Sequence, residues 1–243
     1  NLGYGSVDVT MPGGGIASGA KIGLHTFFSA GVYNVKDFGA VGDSTDDAAS
    51  IQAAITAITA LPRGGTLYFP PGRYLVGTNL TVDMLKFTAG GDGGFALCGA
   101  GPLVSKLIFA PTTGNAIRFH HSGSAAYNYA TVRDLGLTRA SEDSNTAVGL
   151  RFDAASAQNA WCVVENVQIT RFQTCLYATR MQHAMFVNLD IRTGPTNANA
   201  IGLMRLCRHT DAAPSRWITD LRRAANFEFN GLPIRAIALS SLQ

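Results

Sequence analysis

Four stretches of this 243-residue chain share one pattern: Ala116-Ile117-Arg118-Phe119, Gly149-Leu150-Arg151-Phe152, Cys175-Leu176-Tyr177-Ala178 and Gly202-Leu203-Met204-Arg205, at steps of 33, 26 and 27 residues. Alternate residues of an extended segment share a face, so with the flanking apolar residues turned inward, Arg118, Arg151, Tyr177 and Met204 form one outward column. Two guanidinium groups followed by an aromatic ring suit an acidic sugar: Arg forks onto a carboxylate, and a ring can stack on a pyranose. Arg118, Arg151 and Tyr177 are therefore the candidate substrate-binding residues, with an ordinary solvated surface as the alternative reading of the same column.

Cleavage would need more. Glycoside hydrolysis uses two carboxyl groups about 5 to 9.5 Å apart, a spacing of one or two stacked strands. Asp190 and Asp153 are the candidate catalytic carboxylates, but Asp190 stacks over Gln168 and Gly136, and Asp153, like Glu165, Glu142 and Asp143, falls beside strands or in turns. No acidic pair stands in register. His120-His121 is a pair that can ligate a metal, yet no Asp, Glu or Cys at ligand spacing completes a site, and the pair reads as a loop following a strand. His25, His183 and His209 are isolated. No metal or other cofactor is expected. The four cysteines, Cys98, Cys162, Cys175 and Cys207, lack C-x-x-C spacing and read as buried thiols.

The elements that must hold these residues repeat. Asp134-Leu135-Gly136-Leu137-Thr138-Arg139, Asn166-Val167-Gln168-Ile169-Thr170-Arg171 and Asn188-Leu189-Asp190-Ile191-Arg192-Thr193 recur at steps of 32 and 22. They interleave with the first pattern, which implies a solenoid with two strands per coil. Leu135, Leu137, Val167, Ile169, Leu189 and Ile191 face inward as aliphatic columns. Asp134, Asn166 and Asn188 form a polar column at a bend, read as a side-chain hydrogen-bond ladder. The repeat fails after about Leu206.

Ahead of the repeats, residues 1–32 include Met11-Pro12-Gly13-Gly14-Gly15 and read as a leader or linker. Val32 to Ala40 alternates like a strand and ends at the turn Val41-Gly42-Asp43-Ser44. A helix follows over about 47–60: Thr45 can cap it, Asp46 and Asp47 occupy its first turn against the positive end of the helix dipole, and Ile51, Ile55 and Ile58 recur at helical spacing. Pro62 and Gly64-Gly65 stop it, and Thr66 to Val76 reads as strand, Pro-Gly turn, strand.

The run Val35-Lys36-Asp37-Phe38-Gly39-Ala40-Val41-Gly42-Asp43, with Thr45-Asp46-Asp47, Ile51-Gln52-Ala53-Ala54-Ile55 and Gly64-Gly65-Thr66-Leu67-Tyr68-Phe69-Pro70-Pro71-Gly72-Arg73-Tyr74, resembles the opening of pectate-lyase-like parallel β-helices. That opening is shared by bacteriophage tailspikes and depolymerases, mannuronan C5-epimerases and relatives of polygalacturonase. The resemblance implies an all-β chain: a single-stranded right-handed parallel β-helix over residues 33–206 with an N-terminal capping α-helix. Residues 207–243, with Arg208, Arg216, Arg222, Arg223 and Arg235 and an apolar end, are expected to cap the solenoid or mediate assembly. Mannuronan epimerases carry Tyr-Gly-Phe-Asp-Pro-His just after the coil matching Asn166 to Arg171. Here Cys175-Leu176-Tyr177-Ala178-Thr179-Arg180 stands in its place, which argues against that activity.

The composition sets limits. With 19 Lys+Arg against 16 Asp+Glu, the net charge of +3 is too small for a phosphate-gripping surface, so nucleic acid is not expected. No apolar run reaches the roughly 18 residues of a membrane span. Hydrophobic residues at 47% against 14% charged exclude disorder and leave surface for self-association. A start at Asn1 fits a piece of a longer chain. The expected function is a bacteriophage tailspike-like or tail-associated protein, in the virion tail or outside the cell. It would attach to phage tail components, assemble as a homotrimer, and recognise, with or without depolymerising, bacterial surface or acidic polysaccharide. The alternatives are a secreted polysaccharide lyase, hydrolase or epimerase, and a non-catalytic structural adaptor.

Overall fold

A computed structural model describes residues 31–84, 93–121, 129–154, 159–178, 181–182 and 184–192. The leader up to residue 30, Met204 of the outward column and the segment 207–243 lie outside the described residues. The elements run β1 (Val32–Asn34), β2 (Asp43–Asp46), α1 (Ala48–Thr59), β3 (Gly64–Phe69), β4 (Gly72–Val76), β5 (Leu80–Asp83), β6 (Gly94–Gly99), β7 (Ser105–Phe109), β8 (Asn115–His121), β9 (Tyr129–Arg139), β10 (Val148–Ala154), β11 (Asn159–Ala160), β12 (Cys162–Thr170), β13 (Thr174–Ala178), β14 (Met181–Gln182) and β15 (Met185–Arg192).

Strands adjacent in a sheet are not consecutive in the chain, and every pairing is parallel. That is the signature of a coil returning to stack on itself, and the chain is a right-handed parallel β-helix. Each coil crosses three ribbons. The first holds β1, β3, β6 and the leading halves of β9, β12 and β15; the second holds β2, β4, β7 and their trailing halves; the third holds β5, β8, β10 and β13. The two strands per coil expected from the repeats are thus three faces, because β9, β12 and β15 each serve two. The first ribbon escapes notice in the sequence since its segments share alternation but no common spelling.

The bend between the first two ribbons falls on Asp134, Asn166 and Asn188, at φ of 55°, 51° and 50°. Asn and Asp tolerate this left-handed region better than most residues. Asn166 Nδ2 donates to Asp134 Oδ1 at 2.7 Å, and Asn188 Nδ2 donates to Asn166 Oδ1 at 2.9 Å. The expected polar ladder therefore exists, and it links three coils at the turn. Immediately beside it, Leu135, Leu137, Val167 and Ile169 are buried, with Ile191 continuing the column and Leu189 half-buried. Phe119 and Phe152 stack inside the third ribbon with ring centroids 4.9 Å apart.

The start of the solenoid differs from the strand and helix cap expected there. Only Val32–Asn34 is strand; Val35–Phe38 forms a 3-10 turn closed by Gly39 at φ 97°, where a side chain would be strained. Thr45 lies within β2 and does not cap α1, whose first residue is Ala48. Asp46 Oδ1 accepts from the Ala48 amide at 3.0 Å and from the Gly77 amide at 2.9 Å, tying the helix entry to the following coil. Asp47 is buried and accepts from the amides of Val41 and Gly42 at 2.7 and 3.0 Å, so its carboxylate organises the preceding turn rather than the helix dipole. Ile51, Ile55 and Ile58 are buried as expected. The α1 helix packs on β3 and β5, and Gln52 clamps Thr81 in both directions, donating to its carbonyl at 3.0 Å and accepting from its amide at 2.9 Å.

Candidate binding face on the third ribbon

The third ribbon places residues by register. Thr81 lies beside Arg118, Arg118 beside Arg151, and Arg151 beside Tyr177, so the column read from the repeats lies on three successive coils. Inward neighbours Ile117, Phe119, Leu150, Phe152, Leu176 and Ala178 are buried, which fixes the outward direction of the polar residues between them.

Two residues further along each strand, a second outward row pairs Asp83 with His120 and His120 with Asp153. This row joins the first. Arg118 Nε donates to Asp153 Oδ1 at 2.9 Å and Arg118 Nη2 donates to Oδ2 at 2.8 Å, a bidentate fork. Arg151 Nε donates to the same Oδ2 at 3.0 Å, and His120 Nδ1 lies 3.1 Å from Oδ1 and 3.0 Å from Arg118 Nη2. The Arg151 guanidinium carbon lies 4.7 Å from the centre of the Tyr177 ring, a cation–π contact that occupies one face of the ring. Burial pushes the Asp153 pKa up, but hydrogen bonds from Arg118 and His120 and the charges of Arg118 and Arg151 outweigh it, leaving the carboxyl below its ordinary value. Asp153 is a held carboxylate with its side chain 12% exposed, while both arginines keep 32%.

Two expectations change here. His120-His121 is not a loop pair: both residues belong to β8, His120 outward in the cluster and His121 buried. Asp153 does not fall beside a strand but on β10, facing the column it serves. His120 was missed as a member of the site although a signal existed, since it follows Arg118 by two residues as Asp153 follows Arg151. Asp190 stands apart, on β15 in the second ribbon, paired in register with Gln168 as expected. It accepts from Gln168 Nε2 and from Arg192 Nε, both at 2.8 Å. The structure brings Arg118, Arg151, Tyr177 and Asp153 together and leaves Asp190 on another face. Cys162 and Cys175 are buried, while Cys98 is only half-buried on β6.

No group of three His, Cys, Asp or Glu side chains with metal-holding geometry occurs among the described residues. Chemically, the face offers two oriented guanidinium groups, one ring and one ionised carboxylate already committed to them. It can receive a carboxylate and a sugar plane; it holds no protonated acid facing a second carboxyl among the described residues.

Stacked three-ribbon coils with a polar ladder and a ridge of outward side chains define a pectate-lyase-like β-helix protein. The chain belongs to the family described as rhamnogalacturonase A/epimerase, pectate lyase-like, whose model matches residues 32–202. It is 51% identical over 90 residues to mannuronan C5-epimerase AlgE3 of Azotobacter vinelandii, a stretch of 35% of this chain and 5% of that protein. It is 26% identical over 179 residues to the tail spike protein of Shigella phage Sf6, covering 70% of this chain and 26% of that protein. Among solved structures, the A-module of mannuronan C-5 epimerase AlgE4 from Azotobacter vinelandii aligns with a TM-score of 0.44 at 25% identity, over 65% of this chain and 50% of the other. The chain spans only a small part of these curated relatives.

Proposed function

We propose that this protein is a tailspike-like recognition module that binds acidic polysaccharide of a bacterial surface along the third ribbon, in a virion tail or outside a cell. The observation that carries this reading is the placement of Arg118, Arg151 and Tyr177 on three successive coils, with Asp153 fixing both guanidinium groups. Strands in such a ribbon repeat at about 4.8 Å, close to the scale of one sugar residue, so a chain lying across them meets one side chain per coil. Asp153 neutralises part of the charge but leaves the Arg151 Nη groups without hydrogen bonds among the described residues. The family and the tail spike relative support a glycan partner, and attachment to phage tail components is part of the proposal. Self-association as a homotrimer belongs to the same reading.

Binding without efficient cleavage is the version the side chains favour. Asp153 is ionised and bridged to two arginines, unsuited to donate a proton, and Asp190 lies on another ribbon. One observation favours a second, enzymatic reading: the His120–Asp153 contact resembles an oriented acid–base pair, as a polysaccharide lyase or glycoside hydrolase would need. Titrating the protein with alginate, pectate and capsular polysaccharides, while following reducing ends and unsaturated-uronate absorbance, separates the two. Binding that disappears in an Arg118→Ala/Arg151→Ala double variant, without turnover, supports recognition. Unchanged binding in that variant dismisses the face, and turnover abolished by Asp153→Asn or Asp190→Asn transfers the conclusion to a depolymerase. Sedimentation at micromolar concentration checks the trimer, which a clean 25.6 kDa species would refute.

A further inference from the structure

One atom of the third-ribbon cluster has two partners that it cannot serve together. His120 Nδ1 lies 3.0 Å from Arg118 Nη2, which can only donate, and 3.1 Å from Asp153 Oδ1, which as an ionised oxygen can only accept. A ring nitrogen either offers a lone pair or carries a hydrogen, so Nδ1 satisfies one neighbour at a time. Arg118 Nη2 has two hydrogens; one goes to Asp153 Oδ2 at 2.8 Å, which leaves the second for Nδ1 of a neutral ring.

Solvent protons reach the ring, whose side chain is 27% exposed. Charged groups face it from three strands: Arg118 on β8 itself, Asp83 in register on β5, and Asp153 in register on β10, where Arg151 stands two residues earlier and donates to the same carboxylate. Of the side-chain types gathered here, only imidazole changes charge between about pH 5 and 8. The cluster therefore has one titrating member in that range and two discrete hydrogen-bond arrangements.

We propose that His120 is a proton-operated switch on the Arg118 guanidinium. The neutral ring accepts from Arg118 Nη2 and keeps that hydrogen from a ligand. A proton taken from solvent forms the Nδ1–H bond, and Nδ1 then donates to Asp153 Oδ1 instead. The second Nη2 hydrogen loses its acceptor, the imidazolium repels the guanidinium beside it, and that hydrogen turns to an anionic group outside. The face gains one positive charge in the same step. The switch rests on the acidic-polysaccharide reading only for the identity of that anion, since the exchange of partners belongs to three side chains of this protein. A polyanion should bind more tightly in mild acid, where its own carboxylates remain ionised, as carboxylates do above about pH 5.

The test makes two measurements on the full chain at fixed ionic strength. Long-range proton–nitrogen correlation NMR of protein labelled with nitrogen-15 histidine, assigned against His120→Asn, should show the Nε2–H tautomer of His120 at pH 8. At pH 5.5 both ring nitrogens should be protonated. Alginate affinity should rise about 1.4- to 5-fold between those two values, the effect of one added exposed charge, and His120→Asn should abolish the rise. An Nδ1–H tautomer at pH 8 overturns the proposal, because the ring would then donate to Asp153 in both states and release nothing from Arg118. A ring still neutral at pH 5.5 overturns it as well. So does alginate binding that is independent of pH in the wild type, or a rise that persists in His120→Asn. Failure of the acidic-glycan reading looks different: alginate binding is absent, or is unaltered in Arg118→Ala/Arg151→Ala, and the ring's protonation state at the two pH values then decides the switch by itself.

Discussion

Replacing Asp153 by Asn removes one charge from the centre of the third-ribbon cluster while preserving its shape. The carboxylate accepts from Arg118 through three contacts, from Arg151 through one, and faces His120 at 3.1 Å. Hydrogen bonds to charged groups contribute about 1.5–3 kcal/mol when sheltered, and exposed ion pairs about 0.2–1 kcal/mol. With the carboxylate 12% and the arginines 32% exposed, and with the amide still accepting one bond, the loss should be about 1–3 kcal/mol. For a chain of this size that is a fall in melting temperature of roughly 3–10 °C at pH 7. The pH dependence has a definite sign. The folded carboxyl titrates below the ordinary 3.8, so its contribution is complete above that value and is lost as pH falls through the lower folded pKa. Melting curves of wild type and Asp153→Asn should therefore differ fully at pH 7, begin to converge below about pH 4, and coincide in stronger acid. The same substitution should strengthen alginate binding by roughly 1.4- to 5-fold at low salt, the effect of about 0.2–1 kcal/mol from one removed exposed charge. Equal melting at pH 7, or a difference that persists undiminished to pH 2, would refute the clamp. A drop in alginate affinity would show that Asp153 is needed to aim the guanidinium groups, and that geometry outweighs charge.

Three further outcomes follow from the coil interior. Ile169→Asp should abolish cooperative folding, because Ile169 is fully buried and an unpaired buried carboxylate costs several kcal/mol by order of magnitude; a retained thermal transition would mean the inward register is wrong. Asn166→Leu should lower stability by about 2–3 kcal/mol, since it breaks two ladder bonds and forces a bulky residue to φ 51°, whereas Asn166→Gly, which relieves only the second cost, should melt at a higher temperature than the leucine variant. Burial pushes the Cys162 and Cys175 thiols up to about 12, so in native protein at pH 8 both should resist iodoacetamide and react only on unfolding, as peptide mass mapping would reveal.

Local sequence carried much of this architecture. The 3.6-residue spacing of Ile51, Ile55 and Ile58 located α1, and strict alternation around Leu135, Val167 and Ile169 identified the buried columns. The recurrence of Asp134, Asn166 and Asn188 identified the bend, because short polar side chains are the ones that accept left-handed backbone and can still bond to one another. Alternation also set Arg118, Arg151 and Tyr177 outward. Each of these depends on periodicity within a few residues, which a sequence displays directly.

Partnership across coils was a different matter. Arg118 and Asp153 are 35 residues apart, and whether they touch depends on the register of β8 against β10 and on the rotamers that the forked bond selects. Asp47 likewise looked like a helix-dipole residue from its position, yet the turn at Val41 and Gly42 folds back to present two amides, and the stronger local bonds took the carboxylate. Tyr129 and Trp161 belong to no repeat, and only coil stacking brings their rings together. By itself, then, the sequence determined which residues face in, which face out and where the chain turns, since those follow from backbone period and side-chain size. The tertiary structure alone decided which outward residues share a site, because register between distant strands is set by the packing of the whole interior and not by any one segment.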